Sequence, residues 1–271
     1  MATFLFGEHE IYYEDHGSGE PLLVMNGIFM SCASWAQFVP SFAPKCRLLL
    51  LDLLDQGKSA KTEREYTQAL QVEVADALRR HLGLSRWSIA GISYGGEVAL
   101  QYAAAFPQRV HKLILSNTGP NTSDWLRDIG HSWEYACASH DGHRFFKTCI
   151  PVVYSPQFYV KNYAWASARE ELFVASFTPG VYDAFSRLIR SAETYDVREK
   201  LPLITAQTLV ISSEFDYVTP LYQQKELAAG IRGAAHALIM DAGHAVMYEK
   251  PAEFASLVLG FATADTNIQI V

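Results

Sequence analysis

The chain is organised around residues 86–106, which read RWSIAGISYGGEVALQYAAAF. The residues from Trp87 to Ala90 predict a short apolar strand, and apolar residues recur at helical spacing from Val98 to Phe106. Ser93 therefore stands where a strand turns sharply into a helix. The glycines two residues before and after it relieve crowding at the turn, because they lack a Cβ atom. We expect the Ser93 hydroxyl to project beside a helix N-terminus, which favours negative charge.

The segments on either side of this turn repeat the alternation of strands and helices. Five further apolar runs predict strands, at residues 21–25, 47–51, 110–115, 208–212 and 235–240. These runs are continuously apolar, which is typical of strands buried on both faces. A hairpin over residues 3–14 is expected at one edge of the sheet. We predict an α/β fold with a mostly parallel central sheet and helices on both faces.

Residues 120–201 interrupt that alternation. They contain helical patterns broken by prolines, many aromatic residues and no strand candidate flanked by turn signals. We predict a helical lid inserted between two strands, with residues 1–119 and 202–271 forming the core. Two explanations of the aromatic residues remain open: large side chains that pack helices onto the sheet, and an apolar substrate pocket under the lid.

Composition narrows the possible partners. The chain has 271 residues, 49% of them hydrophobic, and a net charge of −7, which argues against nucleic acid or an anionic membrane as a partner. No uncharged apolar run approaches the ~18 residues of a membrane-spanning helix. The N-terminus has no signal-peptide pattern, so we expect a cytoplasmic protein. The oligomeric state is not indicated.

No cofactor or metal is expected. The four cysteines, Cys32, Cys46, Cys137 and Cys149, lack the paired spacing of a zinc site and are interpreted as reduced thiols. The segment from His140 to His143 contains two histidines and an aspartate, and we interpret it as a solvated turn between helices rather than a metal site.

Three polar residues follow predicted strands: Ser93, Asp216 and His244. A serine hydroxyl is a poor nucleophile at neutral pH and needs a base, and the base needs a carboxylate to fix its tautomer. The carboxyl ends of parallel strands converge on one crevice, so loops leaving that edge bring such residues together. The pattern predicts nucleophilic catalysis by a serine.

The sequence resembles the α/β-hydrolase family over nearly its full length. Four segments carry the resemblance: Asn26 to Ile28, Asp52 to Ser59, Gly91 to Gly96 continued by Pro107 to Val110, and Asp216 to Pro220 with Gly243-His244 and Glu249 to Pro251. The family also uses the chain order serine, acid, histidine. The resemblance implies that Ser93 is the nucleophile, His244 the base and Asp216 its orienting acid. It further implies an oxyanion hole formed by the backbone N–H groups of Ile28 and Tyr94.

The chain departs from the family pattern in two places. Asn26 stands where the family usually has a histidine that braces the oxyanion loop, and asparagine can also hydrogen-bond backbone groups. Asp55-Gln56 is a milder departure in the next loop. Glu214 is a rival for the acid, although the spacing to Pro220 favours Asp216.

The leading hypothesis is a serine hydrolase that cleaves a small apolar carboxylic ester or thioester through an acyl-enzyme on Ser93. The same residues would support acyl transfer to another acceptor, or hydrolysis of a carbon–carbon bond next to a carbonyl. A hypothesis of another class is a non-catalytic ligand receptor built on the hydrolase fold.

Overall fold

The computed structural model of the chain describes residues 2–264, so Met1 and residues 265–271 of the predicted core lie outside the described residues. Within that range the chain forms an eight-stranded sheet. The strands are β1 (Ala2–Phe6), β2 (His9–His16), β3 (Pro21–Met25), β4 (Arg47–Leu51), β5 (Trp87–Ile92), β6 (Val110–Ser116), β7 (Gln207–Phe215) and β8 (Ala235–Gly243).

The strand order is β1-β2-β4-β3-β5-β6-β7-β8. The β1–β2 hairpin is antiparallel and pairs antiparallel with β4, whereas all the other strand pairs in this order are parallel. This arrangement confirms the predicted mostly parallel sheet with a hairpin at its edge. The last strand continues to Gly243, three residues beyond the predicted end.

Helices connect the parallel strands and cover the sheet. The α-helices are α1 (Val39–Phe42), α2 (Gln68–His81), α3 (Tyr94–Ala105), α4 (Asp124–Ala138), α5 (Gly142–Cys149), α6 (Pro156–Lys161), α7 (Tyr163–Ser176), α8 (Pro179–Ser191), α9 (Leu221–Gly230), α10 (Val246–Glu249) and α11 (Pro251–Thr263). Every residue of β5 is buried, and consecutive residues of β3 and β4 are buried after the first. Both faces of the central strands are therefore covered, as continuous apolar runs predict.

Five helices, α4 to α8, lie between β6 and β7 in the chain. The prolines at 156 and 179 begin α6 and α8, where the missing N–H costs no helical hydrogen bond. Many of the aromatic residues pack on one another, and Phe145 lies at their centre, 5.0 Å from Phe29 and 5.7 Å from Phe185 between ring centroids. Part of the aromatic content is thus explained by packing alone. No helix among residues 2–264 has the length and apolar character needed to cross a bilayer.

Candidate active site

Ser93 occupies the turn between β5 and α3. Its backbone has φ 51° and ψ −119°, a strained conformation that costs a non-glycine residue about 1–3 kcal/mol. The turn is held because the Ser93 N–H donates to the Ser116 carbonyl at 3.0 Å and the Ser93 carbonyl accepts from the Gly96 N–H at 2.8 Å. A Cβ atom at Gly95 would lie 2.3 Å from the Met25 carbonyl oxygen. Position 95 therefore requires glycine because the backbone of β3 approaches so closely.

Ser93, His244 and Asp216 meet beyond the carboxyl ends of β5, β7 and β8. Ser93 Oγ lies 2.9 Å from His244 Nε2. His244 Nδ1 lies 2.9 Å from each carboxylate oxygen of Asp216. With the imidazole proton on Nδ1 and donated to Asp216, Nε2 is the acceptor for the Ser93 hydroxyl. The three side chains thus form a continuous line of hydrogen bonds.

The Asp216 carboxylate is buried and held by five donors besides the histidine. These are the Val218 N–H (2.9 Å), the Thr219 N–H (2.9 Å), the Thr219 hydroxyl (2.8 Å), Asn117 Nδ2 (2.9 Å) and Gln224 Nε2 (3.0 Å). Burial disfavours the ionised form, but the electrostatic interaction with His244 and the donated hydrogen bonds outweigh it and lower the pKa of Asp216. The carboxylate is therefore fixed in place and ionised at neutral pH.

Ile28 and Tyr94, whose backbone N–H groups are the predicted oxyanion hole, line one cavity together with Ser93. Ile28 follows β3, and Tyr94 begins α3 directly after Ser93, at the positive end of that helix. Neither N–H has an acceptor among residues 2–264, and both residues share a cavity lining with Ser93. Both N–H groups are therefore unpaired in residues that line the same cavity as Ser93, and their role as an oxyanion hole stays a prediction.

Asn26 braces the loop that carries Ile28. Its Nδ2 donates to the Leu51 carbonyl at 2.8 Å, and its Oδ1 accepts from Trp35 Nε1 at 2.7 Å. Gln56 adds a second brace, since its Nε2 donates to the Gly27 carbonyl at 3.0 Å. Both departures from the family pattern thus supply hydrogen bonds that support this loop.

Asp55 has a partner that the sequence did not indicate. Its carboxylate is fully buried and receives two hydrogen bonds from Arg187 of α8, from Nη2 at 2.8 Å and from Nε at 3.1 Å. The Thr62 N–H donates to the same carboxylate at 3.0 Å. This pair ties the loop after β4 to the inserted helices across 132 positions of sequence, and no local motif reveals such a contact.

Neither the rival acid Glu214 nor Asp241, which is close to His244 in sequence, bonds to the histidine. Glu214 accepts a hydrogen bond from the Asp241 N–H at 3.0 Å in an exposed position. Asp241 has φ 52°, a left-handed conformation that short polar residues tolerate. Neither carboxylate contacts His244, so Asp216 is the acid that the structure brings to the ring.

The segment from His140 to His143 covers the end of the turn after α4 and the first two residues of α5. Asp141 caps α5 by accepting from the backbone N–H groups of His143 and Arg144. His143 pairs with Glu170, and His140 pairs with Asp183. Across residues 2–264 no cluster of three or more His, Cys, Asp or Glu side chains is placed to hold a metal ion.

The loop that carries His244 is joined to the inserted helices. Glu249 accepts from the Gly243 N–H at 3.0 Å and also from the Ser155 N–H at 2.9 Å. The Ala245 N–H donates to the Val153 carbonyl at 2.8 Å. Sequence reasoning found Glu249 only as part of a family segment and missed Ser155, whose contact with the loop is set by the tertiary structure.

Two cavities meet at Ser93. The first, the α3 cavity, has an empty volume of about 600 Å³ including its open mouth, and its lining includes Ile28, Ser93, Tyr94, Glu97, Trp133 and Ile189. The second, the aromatic cavity, measures about 670 Å³ in the same way, and its lining includes Ser93, Tyr154, Arg169, Phe173, His244 and Tyr248. Apolar side chains dominate both walls, and inserted helices contribute to each.

Comparisons with known proteins agree with this architecture. The family described as alpha/beta hydrolase fold matches residues 20–251. The chain is also similar to the crystal structure of MGS-M2, an alpha/beta hydrolase enzyme from a Medee basin deep-sea metagenome library. That similarity has a TM-score of 0.96 and 42% sequence identity, and covers 99% of this chain and 100% of the other.

Two curated relatives with lower sequence identity match nearly the whole chain. One is named putative carbamate hydrolase RutD, from Azorhizobium caulinodans, with 27% identity over 94% of this chain and 96% of the relative. Another is named 2-hydroxymuconate semialdehyde hydrolase, from Pseudomonas sp. strain CF600, with 25% identity over 93% of this chain and 90% of the relative.

Proposed function

The chain belongs to the α/β-hydrolase fold family, and on that premise we propose that it hydrolyses a small apolar carboxylic ester or thioester through an acyl-enzyme on Ser93. The observation that carries the proposal is the line of 2.9 Å hydrogen bonds from Asp216 through His244 to the Ser93 hydroxyl. Such a line activates an otherwise weak nucleophile.

In the first half of the reaction, Ser93 Oγ bonds to the substrate carbonyl carbon while its proton moves to His244 Nε2. The carbonyl oxygen becomes an oxyanion, which the N–H groups of Ile28 and Tyr94 stabilise. Asp216 stabilises the imidazolium that forms. The bond to the alkoxide or thiolate leaving group then breaks, and His244 Nε2 gives its proton to that group.

In the second half, water takes the place of the leaving group. His244 Nε2 removes a proton from the water as its oxygen bonds to the acyl carbon, and the same N–H groups stabilise the second oxyanion. Breakage of the bond to Ser93 Oγ releases the carboxylic acid, and the proton on His244 returns to the serine. The enzyme is regenerated with one water consumed.

Hydrolysis of a carbon–carbon bond next to a carbonyl is a second candidate. Arg169 in the aromatic cavity lies against the rings of Trp165, Tyr248 and Phe173, at 4.8, 5.2 and 5.8 Å. No carboxylate pairs with this guanidinium among residues 2–264, so an acidic substrate would find a cation there. The similarity to a protein named 2-hydroxymuconate semialdehyde hydrolase also favours this candidate. Product analysis separates carbon–carbon hydrolysis from ester hydrolysis. A β-diketone that carries a carboxylate is a suitable test substrate for the first reaction, and its hydrolysis yields an acid and a ketone. Hydrolysis of an ester yields an acid and an alcohol.

The test of the serine is labelling by a fluorophosphonate, read as intact mass, on the wild type and on Ser93→Ala. We expect one adduct on the wild type and none on the variant, because only an activated serine beside an oxyanion hole displaces the fluoride. Ester turnover of the variant should fall by about 10⁴-fold or more without loss of the folded state.

Two outcomes would contradict the proposal. An adduct on Ser93→Ala would place the nucleophile elsewhere. Absence of labelling and of turnover in the wild type, together with tight binding of an apolar ligand, would instead support a non-catalytic receptor.

A further inference from the structure

Glu97 is a buried carboxyl group one helical turn beyond Ser93. It lies in the first turn of α3, four residues after the serine. Only 4% of its surface is exposed, and it lines the α3 cavity together with Ser93, Ile28 and Tyr94. The hydrolytic mechanism described above does not use it.

One oxygen of Glu97 is occupied by a hydrogen bond whose direction the neighbours fix. Gln68 Nε2 donates to Glu97 Oε2 at 2.6 Å. The other end of the same amide, Gln68 Oε1, accepts from Gln101 Nε2 at 2.8 Å, which sets the orientation of the amide. Oε2 of Glu97 is therefore an acceptor, and Oε1 forms no hydrogen bond within residues 2–264.

No cation pairs with the carboxyl group, and burial raises the pKa of Glu97 to about 8 against a small opposing effect of the Gln68 hydrogen bond. At neutral pH the group is therefore protonated. Because Oε2 faces an N–H, the proton is placed on Oε1. Glu97 thus presents an O–H donor toward a cavity that opens at the nucleophile.

The charged groups at the rim of the same cavity are paired with one another. Arg190 pairs with Glu65 and Glu134, and Arg127 pairs with Asp124. The Thr122 hydroxyl donates to the Ala192 carbonyl at 2.6 Å. Besides the Ile28 and Tyr94 N–H groups, Glu97 Oε1 is therefore an unpaired polar atom among the residues that line this cavity.

We propose that Glu97 is a specificity-determining residue whose O–H donates a hydrogen bond to a carbonyl or hydroxyl oxygen of the substrate in the α3 cavity. This inference rests on the proposed function. Four helical residues rise about 6 Å, so the recognised oxygen lies a few bonds from the scissile carbonyl. The preferred substrate is an ester or thioester with an apolar skeleton and one such oxygen on the half that enters this cavity.

The inference is tested with two matched pairs of esters, each pair differing by one ketone oxygen. The acyl-side pair is 4-nitrophenyl pentanoate and its 4-oxo derivative, and the alcohol-side pair is butyl and 3-oxobutyl pentanoate. The measured quantity is the ratio of kcat/KM, oxo to unsubstituted, for the wild type, Glu97→Gln and Glu97→Leu.

Glu97→Gln preserves an acceptor for Gln68 and a donor toward the cavity, so it should keep the wild-type ratio. Glu97→Leu removes the donor, and in one of the two pairs the ratio should fall roughly fivefold to tenfold, as expected for one neutral hydrogen bond. Equal ratios in the wild type and Glu97→Leu for both pairs, with the unsubstituted esters still hydrolysed, would overturn the inference and leave the proposed function intact. Failure of the wild type to label at Ser93 or to hydrolyse any of the esters would overturn both.

A second readout needs no destabilising variant. As pH rises through 8, ionisation of Glu97 removes the donor, so the wild-type ratio should fall while that of Glu97→Gln stays level. The titratable neighbours Tyr94 and Tyr195 remain neutral, since burial raises the pKa of both. A change in the protonation of His244 or of the rim groups His131, Glu134 and Glu193 alters kcat/KM for both esters of a pair and leaves their ratio unchanged. Loss of the Glu97 donor lowers kcat/KM for the oxo ester alone, so the ratio falls. A level wild-type ratio from pH 6 to 9 would contradict the inference even if Glu97→Leu does not fold.

Discussion

The two ends of the hydrogen-bonded line from Asp216 to Ser93 are held by the sheet, whereas the histidine between them depends partly on the inserted helices. Every partner of the Asp216 carboxylate other than His244 comes from segments that follow β6 or β7. Ser93 is held by β6 and by its own helix. The loop of His244, by contrast, is joined through Glu249 and Val153 to the segment between α5 and α6.

This difference implies that one region positions the reacting groups, whereas the other also determines which substrate binds. The sheet edge fixes the nucleophile and the acid, because parallel strands end at the same edge. The inserted helices supply much of the walls of both cavities and help to place the base. A change in those helices is therefore expected to alter both the choice of substrate and the position of His244, and the following predictions test that division.

The largest effect on activity is expected from a substitution of the acid at the sheet edge. Asp216→Asn should lower kcat by about 10⁴-fold, because an amide no longer fixes the His244 tautomer or stabilises its cation. Steady-state kinetics on an activated ester measure this. Glu214→Gln, a change of the rival acid on the same strand end, is the matched control and should retain activity. Comparable losses in both variants would show that Asp216 has no special role.

The next effect concerns the connection between the two regions. Arg187→Leu leaves the buried Asp55 carboxylate without its cation and should lower the free energy of unfolding by about 3–5 kcal/mol. Urea unfolding measures this loss. Arg47→Leu, which removes a partly exposed pair with Asp15, should cost no more than about 1 kcal/mol. Adding Asp55→Asn to Arg187→Leu should restore part of the stability, and no restoration would show that the unpaired charge is not the cause.

The smallest effect concerns the attachment of the histidine loop. Glu249→Ala removes the acceptor shared by Gly243 and Ser155, so His244 should be less well placed and kcat should fall about tenfold, equivalent to about 1.4 kcal/mol of transition-state stabilisation. Glu249→Gln keeps one acceptor oxygen and should recover most of the rate. Glu253→Ala, an exposed change on the following helix, is the control. Unchanged kcat in Glu249→Ala would mean that the sheet alone positions His244.

Most of the fold could be predicted from the sequence. The continuous apolar runs predicted the parallel strands because burial on both faces leaves no polar alternation, and the helices between β6 and β7 lie within the predicted interruption. The division into a core and a lid at residues 120 and 201 stays a prediction. The aromatic residues divide between the two explanations left open, since Phe145 packs on Phe177 and Phe185 within the insertion while Phe173 also lines a cavity.

Less of the candidate site could be predicted from the sequence. Ser93, Asp216 and His244 follow strands, so strand ends located them before any distance was known, and their catalytic roles stay predictions. Asn26 and Asp55 were visible only as departures from a pattern. Their partners, Leu51, Trp35 and Arg187, lie up to 132 positions away, and no short-range signal encodes such a contact.

The sequence by itself determined the parallel sheet, the turn at Ser93 and the family, because these follow from local periodicity, glycine placement and motif order. Only the tertiary structure decided which carboxylate meets His244, how Asp55 joins the sheet to α8, and that Glu97 is buried with one oxygen unpaired. The physical reason is that burial and pairing depend on side chains from distant segments, and the free energy of a buried carboxyl group is set by the groups that surround it rather than by its neighbours in the chain.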